Sequence, residues 1–240
     1  LSALAERNAE QGRLRTRGHF AALAIDWPKQ GGMTVMLTRE ALHDAFMELG
    51  MLARANGKII DLAVYGGSAL MLASNFRDTT RDVDAVVSAD QSSIDRLAAV
   101  VAARRGWPSD WLNDGVRTYL SPNVYGVREH HQLFRSYPNE QEPGLRVFVP
   151  TAEYILAMKL MAMRLDQAAG KSDLDDIINL LDVVQITTPE AAIEFAAAFY
   201  PEARISARLL LGLQELWRLK HQRVKPDEPP AYLGRSRATT

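Results

Sequence analysis

Apolar residues recur every three or four positions after Thr38, with Leu42, Phe46, Leu49 and Leu52 forming one stripe that ends near Asn56-Gly57. This pattern predicts a helix capped by Thr38. The spacing then changes, because Lys58 to Tyr65 is a near-continuous Ile, Leu and Val run. Such a run is too apolar for a strand with one wet face and predicts a central strand of a sheet. Gly66-Gly67-Ser68 interrupts it, and Ala69 to Ser74 reads as a short apolar helix. Val83 to Ser88 predicts the next strand, and Ser92 to Arg105 an amphipathic helix through Ile94, Leu97, Val100 and Val101.

Prolines, glycines and polar residues break the pattern between Trp107 and Gly144, where short strands are predicted at Val116 to Leu120 and His131 to Phe134. Arg146 to Val149 offers another strand, after which the periodicity is helical: Thr151 to Asp166, Ser172 to Val184, Pro189 to Phe199 and about Arg204 to Lys220. Thr151, Ser172 and Thr188 suit N-caps, and Pro189 suits a first helical position. Before all of this, Ala3 to Ala24 is helix-compatible and is broken by Trp27-Pro28-Lys29-Gln30-Gly31-Gly32. The order predicts an α/β (α+β) protein with a mixed sheet flanked by helices. Its expected parts are an N-terminal helical extension over 1–32, an α/β core over 33–150, a helical part over 151–220 and a flexible tail over 221–240. The tail reading rests on the Pro-rich and charged stretch from Lys225 to Pro230 and on Arg235 to Thr240.

With 240 residues and 47% hydrophobic side chains, the chain can bury a sizeable core. A net charge of -1 gives no support to a strongly basic nucleic-acid surface and leaves room for a local basic groove. The absence of cysteine excludes disulfides, thiolate zinc sites and a cysteine nucleophile. No apolar run reaches the roughly 18 residues of a membrane span. Glu6, Glu10 and several arginines leave the N-terminal segment without a signal-peptide core, so the expected location is the cytoplasm. Opening on Leu1 rather than Met implies a terminus that is trimmed or begins further upstream.

The chemistry concentrates at two places. Thirteen residues separate Ser68 from Asp82, and Asp82-Val83-Asp84 opens the second strand. Side chains alternate along a strand, so Asp82 and Asp84 share one face, roughly 7 Å apart at the backbone. Paired carboxylates suit magnesium, which takes hard oxygen ligands and usually only one or two protein carboxylates. Gly66 and Gly67 let backbone amides approach a phosphate, Ser68 adds a hydroxyl, and a helix starting there turns its positive end towards the same anion. Each half alone is also met as a plain turn or a solvated strand end, but a glycine turn beside an acidic strand is the arrangement that suits phosphoryl or nucleotidyl transfer.

Gly66-Gly67-Ser68 followed by Asp82-Val83-Asp84 resembles the signature of the DNA polymerase beta superfamily of nucleotidyltransferases. Arg77-Asp78-Thr79-Thr80-Arg81, the run Trp107 to Asp114, and Leu156 to Leu160 with Arg164, Asp173 and Asp176 resemble the AbiEii-like branch, the toxins of type IV toxin-antitoxin pairs. The resemblance covers about Asp61 to Leu181. It implies the nucleotidyltransferase fold and transfer of a nucleoside monophosphate from an NTP to an acceptor hydroxyl. It further implies a magnesium (or manganese) ion on Asp82 and Asp84, an RNA acceptor such as the tRNA 3′ end, and an antitoxin or phage-defence partner protein. Two other readings stay open: a defence-type synthase of nucleotide oligomers, and a nucleotide-binding or antitoxin-like scaffold without turnover.

The remaining candidates follow from local context. Lys159 sits among Ile155, Leu156, Ala157, Met158, Leu160 and Met161, so its ammonium either snorkels to the surface or reaches a phosphate or carboxylate in the cleft. Phosphate contact is the expectation, and the resemblance assigns Lys159 a catalytic place. Asp173 and Asp176 share a face of a helix starting near Ser172, where they stabilise its dipole, pair with Arg164 or Lys171, or line the nucleotide or acceptor site. Arg77 and Arg81 are candidates for triphosphate oxygens. Asn113 and Asp114 form a polar edge or a helix cap, and His130-His131 reads as a solvated loop. Many superfamily members carry a third acid on a later strand, but here Arg146 to Val149 offers arginine instead.

Overall fold

The computed structural model describes residues 35–88, 91–124, 128–163, 173–224 and 226–234. All of them belong to one compact unit beginning at Thr34. The expected N-terminal helix, the Ser172 cap, Arg164 and Lys171 lie outside the described residues.

Among the described residues, a mixed five-stranded sheet carries the architecture. Its central strand is β2 (Ile60–Val64), flanked by antiparallel β4 (Val83–Val87) and parallel β7 (Leu145–Pro150). Outside these lie β5 (Leu112–Asn113), parallel to β4, and β6 (His131–Tyr137), antiparallel to β7. A separate antiparallel pair joins β1 (Leu37–Thr38) to β3 (Thr79–Thr80). The α+β expectation holds.

The helices start where the sequence supplies an oxygen. Thr38, Thr151 and Thr188 each accept a hydrogen bond from the amide three residues on, at 3.2, 3.3 and 3.2 Å, opening α1 (Arg39–Ala55), α4 (Ala152–Ala162) and α6 (Pro189–Phe199). Between them are α2 (Gly66–Ala73), α3 (Gln91–Arg105) and α5 (Leu174–Val184), and α7 (Ala207–Gln222) follows. Among the described residues, no helix is long and apolar enough to cross a membrane.

One hydrophobic cluster runs from α1 through the sheet into the late helices, taking in Phe46, Leu62, Val147, Leu156, Ile177 and Leu213. The expected division at residue 150 is therefore no boundary in packing. A second, smaller cluster on the sheet face of Ala63 and Tyr65 gathers Phe148, Tyr154, Met158 and Tyr200.

Three local expectations are corrected. Val116 to Leu120 is no strand: Gly115–Tyr119 form a 3₁₀ turn, helped by the Arg117 to Asp114 ion pair at 2.7 Å. The loop reading of His130-His131 fails at His131, which opens β6 where the strand from His131 to Phe134 is expected. The tail is not free over 229–233, because Tyr232 is buried and its hydroxyl donates to the Pro150 carbonyl at 2.8 Å. Beside it, the Leu233 amide donates to Ala73, and the Ala231 amide to the Asn75 side chain. One aromatic anchor and the extended backbone favoured before and within Pro229-Pro230 make a strap of this segment.

Candidate active site between the glycine turn and the acidic strand

Antiparallel pairing brings the two motifs together. Val64 faces Ala85 across the β2–β4 ladder, so the next step sets Tyr65 beside Asp84, and the Tyr65 amide donates to the Asp84 carbonyl at 2.8 Å. Val83, Ala85 and Val87 are buried on the far face, which leaves Asp84 on the other. Asp82 stands one residue ahead of the strand and is exposed.

Gly66 has φ of 59°, a left-handed value that suits glycine. A Cβ there would lie 2.9 Å from Oδ2 of Asp84, so the acid leans directly on the turn. A Cβ on Gly67 would collide with the Arg77 guanidinium and stand 3.0 Å from the Thr80 hydroxyl. Both glycines are thus backbone that neighbouring polar groups approach closely. From Gly66 the chain enters α2, which has Tyr65 as N-cap and no side-chain cap, leaving its leading amides without intrahelical partners. Arg39 closes the other end, donating to the carbonyls of Leu72 and Ser74 at 2.9 and 3.0 Å.

A cavity of about 740 Å³ opens here, within the range of small-molecule sites. Gly66, Gly67, Arg77, Arg81, Asp82, Asp84, Lys159 and Asp173 all line it, eight of the ten residues expected to hold the metal or the nucleotide. Ser68 does not: its buried hydroxyl donates to the Tyr65 carbonyl at 2.9 Å and secures the turn. A serine one residue further into the helix turns back on its own first turn, so its hydroxyl is not turned to the cavity as expected.

Asp176 is also absent from the lining, yet it organises the cations. It is buried, and its Oδ2 accepts from Lys159 Nζ at 2.9 Å and pairs with the Arg77 guanidinium at 3.1 Å. Lys159 in turn reaches Asp173 at 2.5 Å. Two cations and two anions make a neutral quartet tying the loop after α2 to α4 and α5. Lys159 therefore meets carboxylates in the cleft, where phosphate contact was expected, because both acids lie within one turn of each other on the facing helix.

The outer strand beside β4 carries no third acid. Next to Asp84 in register stands Asn113 on β5, and its Oδ1 accepts from the Gly115 amide at 2.9 Å. Arg146 on β7 pairs instead with Asp61 at 2.5 Å, away from the cavity. Asp78 and Asp173 line the cavity, but among the described residues no three acids or histidines group as a metal cage. The donor set is two hard carboxylates beside a glycine that leaves room, which suits a hydrated magnesium ion.

Behind the turn stands an aromatic post. His131 Nδ1 faces the Glu129 carbonyl at 2.5 Å and so carries the proton, leaving Nε2 to accept from the Tyr65 hydroxyl at 3.0 Å. Burial pushes the His131 pKa down to about 4, outweighing the upward pull of the Glu129 carbonyl, so the ring is neutral at pH 7. Burial also raises Tyr65 and Tyr154 above the usual phenol range.

Spacing alone missed part of the cleft, namely Met36, Val116, Tyr119, Ile155, Met158 and Ala162. Val116 and Tyr119 belong to a 3₁₀ turn with no periodic signal. Met158 does sit one residue before Lys159, so helical geometry beside a flagged lysine is the signal that finds it. Compared with family models, curated proteins and solved structures, the chain matches none.

Proposed function

We propose that this protein is a magnesium-dependent nucleotidyltransferase that passes a nucleoside monophosphate from an NTP to an acceptor hydroxyl. The observation that carries the reading is the contact of Asp84 with the Gly66 turn at the mouth of a cleft lined by Asp82, Arg77, Arg81 and Lys159. Asp82 and Asp84 would hold the ion, which when bound supplies neutralisation of phosphate charge. The leading amides of α2 receive phosphate oxygens, and Arg77, steered by Asp176, meets them over Gly67. The acceptor oxygen bonds to the α-phosphorus, the bond to the bridging oxygen breaks, pyrophosphate leaves, and the hydroxyl proton passes to water. Resemblance to AbiEii-like toxins directs the acceptor reading to RNA, in the cytoplasm, with an antitoxin as partner.

Labelled NTP incubated with magnesium and total RNA, with protein, and alone tests this. Label on RNA with pyrophosphate release is the expected result, and Asp82→Ala and Asp84→Ala each abolish it while the fold persists. Wild-type transfer by the double variant discards the mechanism. A scaffold without turnover is the second reading, favoured by the neutral quartet that already occupies Lys159 and by the asparagine beside Asp84. Magnesium-dependent NTP binding with no pyrophosphate from any acceptor supports it.

A further inference from the structure

The cleft has two chemically different walls. The charged wall holds the carboxylates and the phosphate-facing turn. The other is apolar: Val116 and Met158 are buried, and Tyr119 beside them keeps more than a third of its surface open. Among the described residues no aromatic ring packs on Tyr119, and rings of this kind gain from an offset or edge-on partner.

The path between the walls has a useful length. Gly115 opens the 3₁₀ turn against the acid, since a Cβ there would stand 3.8 Å from Asp84 Oδ1, and Tyr119 closes the same turn. Four steps of about 2 Å separate Gly115 from Tyr119, roughly 8 Å along the turn axis. That is the reach from a metal-held phosphate across a ribose to its base. The turn is also fixed in place. The Tyr119 carbonyl accepts from the Tyr200 hydroxyl at 2.6 Å, and Arg117 pairs with Asp114 and donates to Gln91 at 2.9 Å. The polar side chains of the lining, Asp78, Thr79, Thr80 and Asp173 among them, come from the stretch after α2, from β4, from α4 and from the start of α5, and the 3₁₀ turn that carries Tyr119 adds none besides the tyrosine's own hydroxyl.

We propose that Tyr119, seated with Val116 and Met158, is the platform on which the nucleobase of the bound NTP stacks. The base is held by its face and not read along its edge. This rests on the nucleotidyltransferase reading and adds the base subsite to it. Base choice follows ring size, so ATP and GTP bind alike, because stacking tolerates any base of similar area.

Calorimetry on the full chain without acceptor tests the proposal, with magnesium-ATP and magnesium-tripolyphosphate as the two probes. Tyr119→Ala is expected to weaken ATP roughly 5- to 100-fold and leave tripolyphosphate unchanged, and Tyr119→Phe to bind ATP within about twofold of wild type. Should the alanine variant misfold by circular dichroism, Tyr119→Leu keeps the apolar bulk, loses the aromatic face, and carries the same expectation. Unchanged ATP affinity, or an equal loss for both probes, overturns the platform. So does wild-type protein that binds ATP no better than tripolyphosphate, although the phosphate site then stands. Wild-type protein that binds neither removes the nucleotide reading itself. A defect confined to the KM for RNA assigns the ring to the acceptor and also overturns the proposal.

Discussion

Replacing Gly66 by alanine separates strain from chemistry. At φ of 59° a Cβ costs about 1–2 kcal/mol by clashing with the local backbone. The same Cβ would stand 2.9 Å from Asp84 Oδ2, too close to persist. The carboxylate is the movable partner, so it swings away, and the stability loss stays near the backbone value. For a unit of this size that is a fall in Tm of roughly 2–8 °C. The chemical loss is larger, because a displacement of about 1 Å in a positioned group costs on the order of a hundredfold in rate. Gly57 provides the control: its φ is 66° and a Cβ would meet nothing within 4 Å. Gly57→Ala should therefore show a comparable Tm change with transfer intact. Thermal melts beside pyrophosphate release, measured on both variants, decide the matter. If Gly66→Ala transfers label at the wild-type rate, the acid and the turn do not work together.

Three further outcomes follow from the same geometry. Asp176→Ala strips the buried anion from Lys159 and Arg77; since Lys159 keeps Asp173 and Arg77 is a third exposed, the cost falls below that of a fully broken buried pair, about 2–3 kcal/mol, read as a lower urea midpoint. His131 has an unfolded value of 6.5 and a folded value of about 4, so the unfolded chain binds the extra proton between them; its contribution is complete above pH 6.5 and declines towards pH 4, by at most about 3 kcal/mol. His131→Gln should flatten the stability profile in that window. Tyr232→Ala empties a buried site and frees the Pro150 carbonyl, costing about 3 kcal/mol and exposing residues 226–234 to protease.

What the chain revealed in advance was local. The alternation of Val83, Ala85 and Val87 set the face of Asp84, and three threonine caps marked three helix starts, because each depends on neighbours within a few positions. The ion quartet was half visible. Each of Arg77, Lys159, Asp173 and Asp176 stands out in the sequence, but that they meet depends on the packing of α4 on α5 and on a loop almost a hundred residues away. Two-residue strands such as β3 and β5 carry no period to read. Their places are set by partners: the Trp111 carbonyl receives the Val83 amide at 2.7 Å, and the Trp111 ring nitrogen donates to Ala98 at 3.1 Å. The strap around Tyr232 was missed because its composition is that of a solvated tail, and a single buried ring outweighs that average.

The β2–β4 ladder also limits what sequence drift can do. Sliding β4 by one residue would turn Asp84 towards the greasy side of the sheet and hand its place to a valine or an alanine. An inserted or deleted codon in 82–87 thus penalises folding before it reaches activity. Packing acts as a proofreader for the register, so position 84 stays aimed at the turn whatever side chain it carries, and only the chemistry holds the carboxylate there.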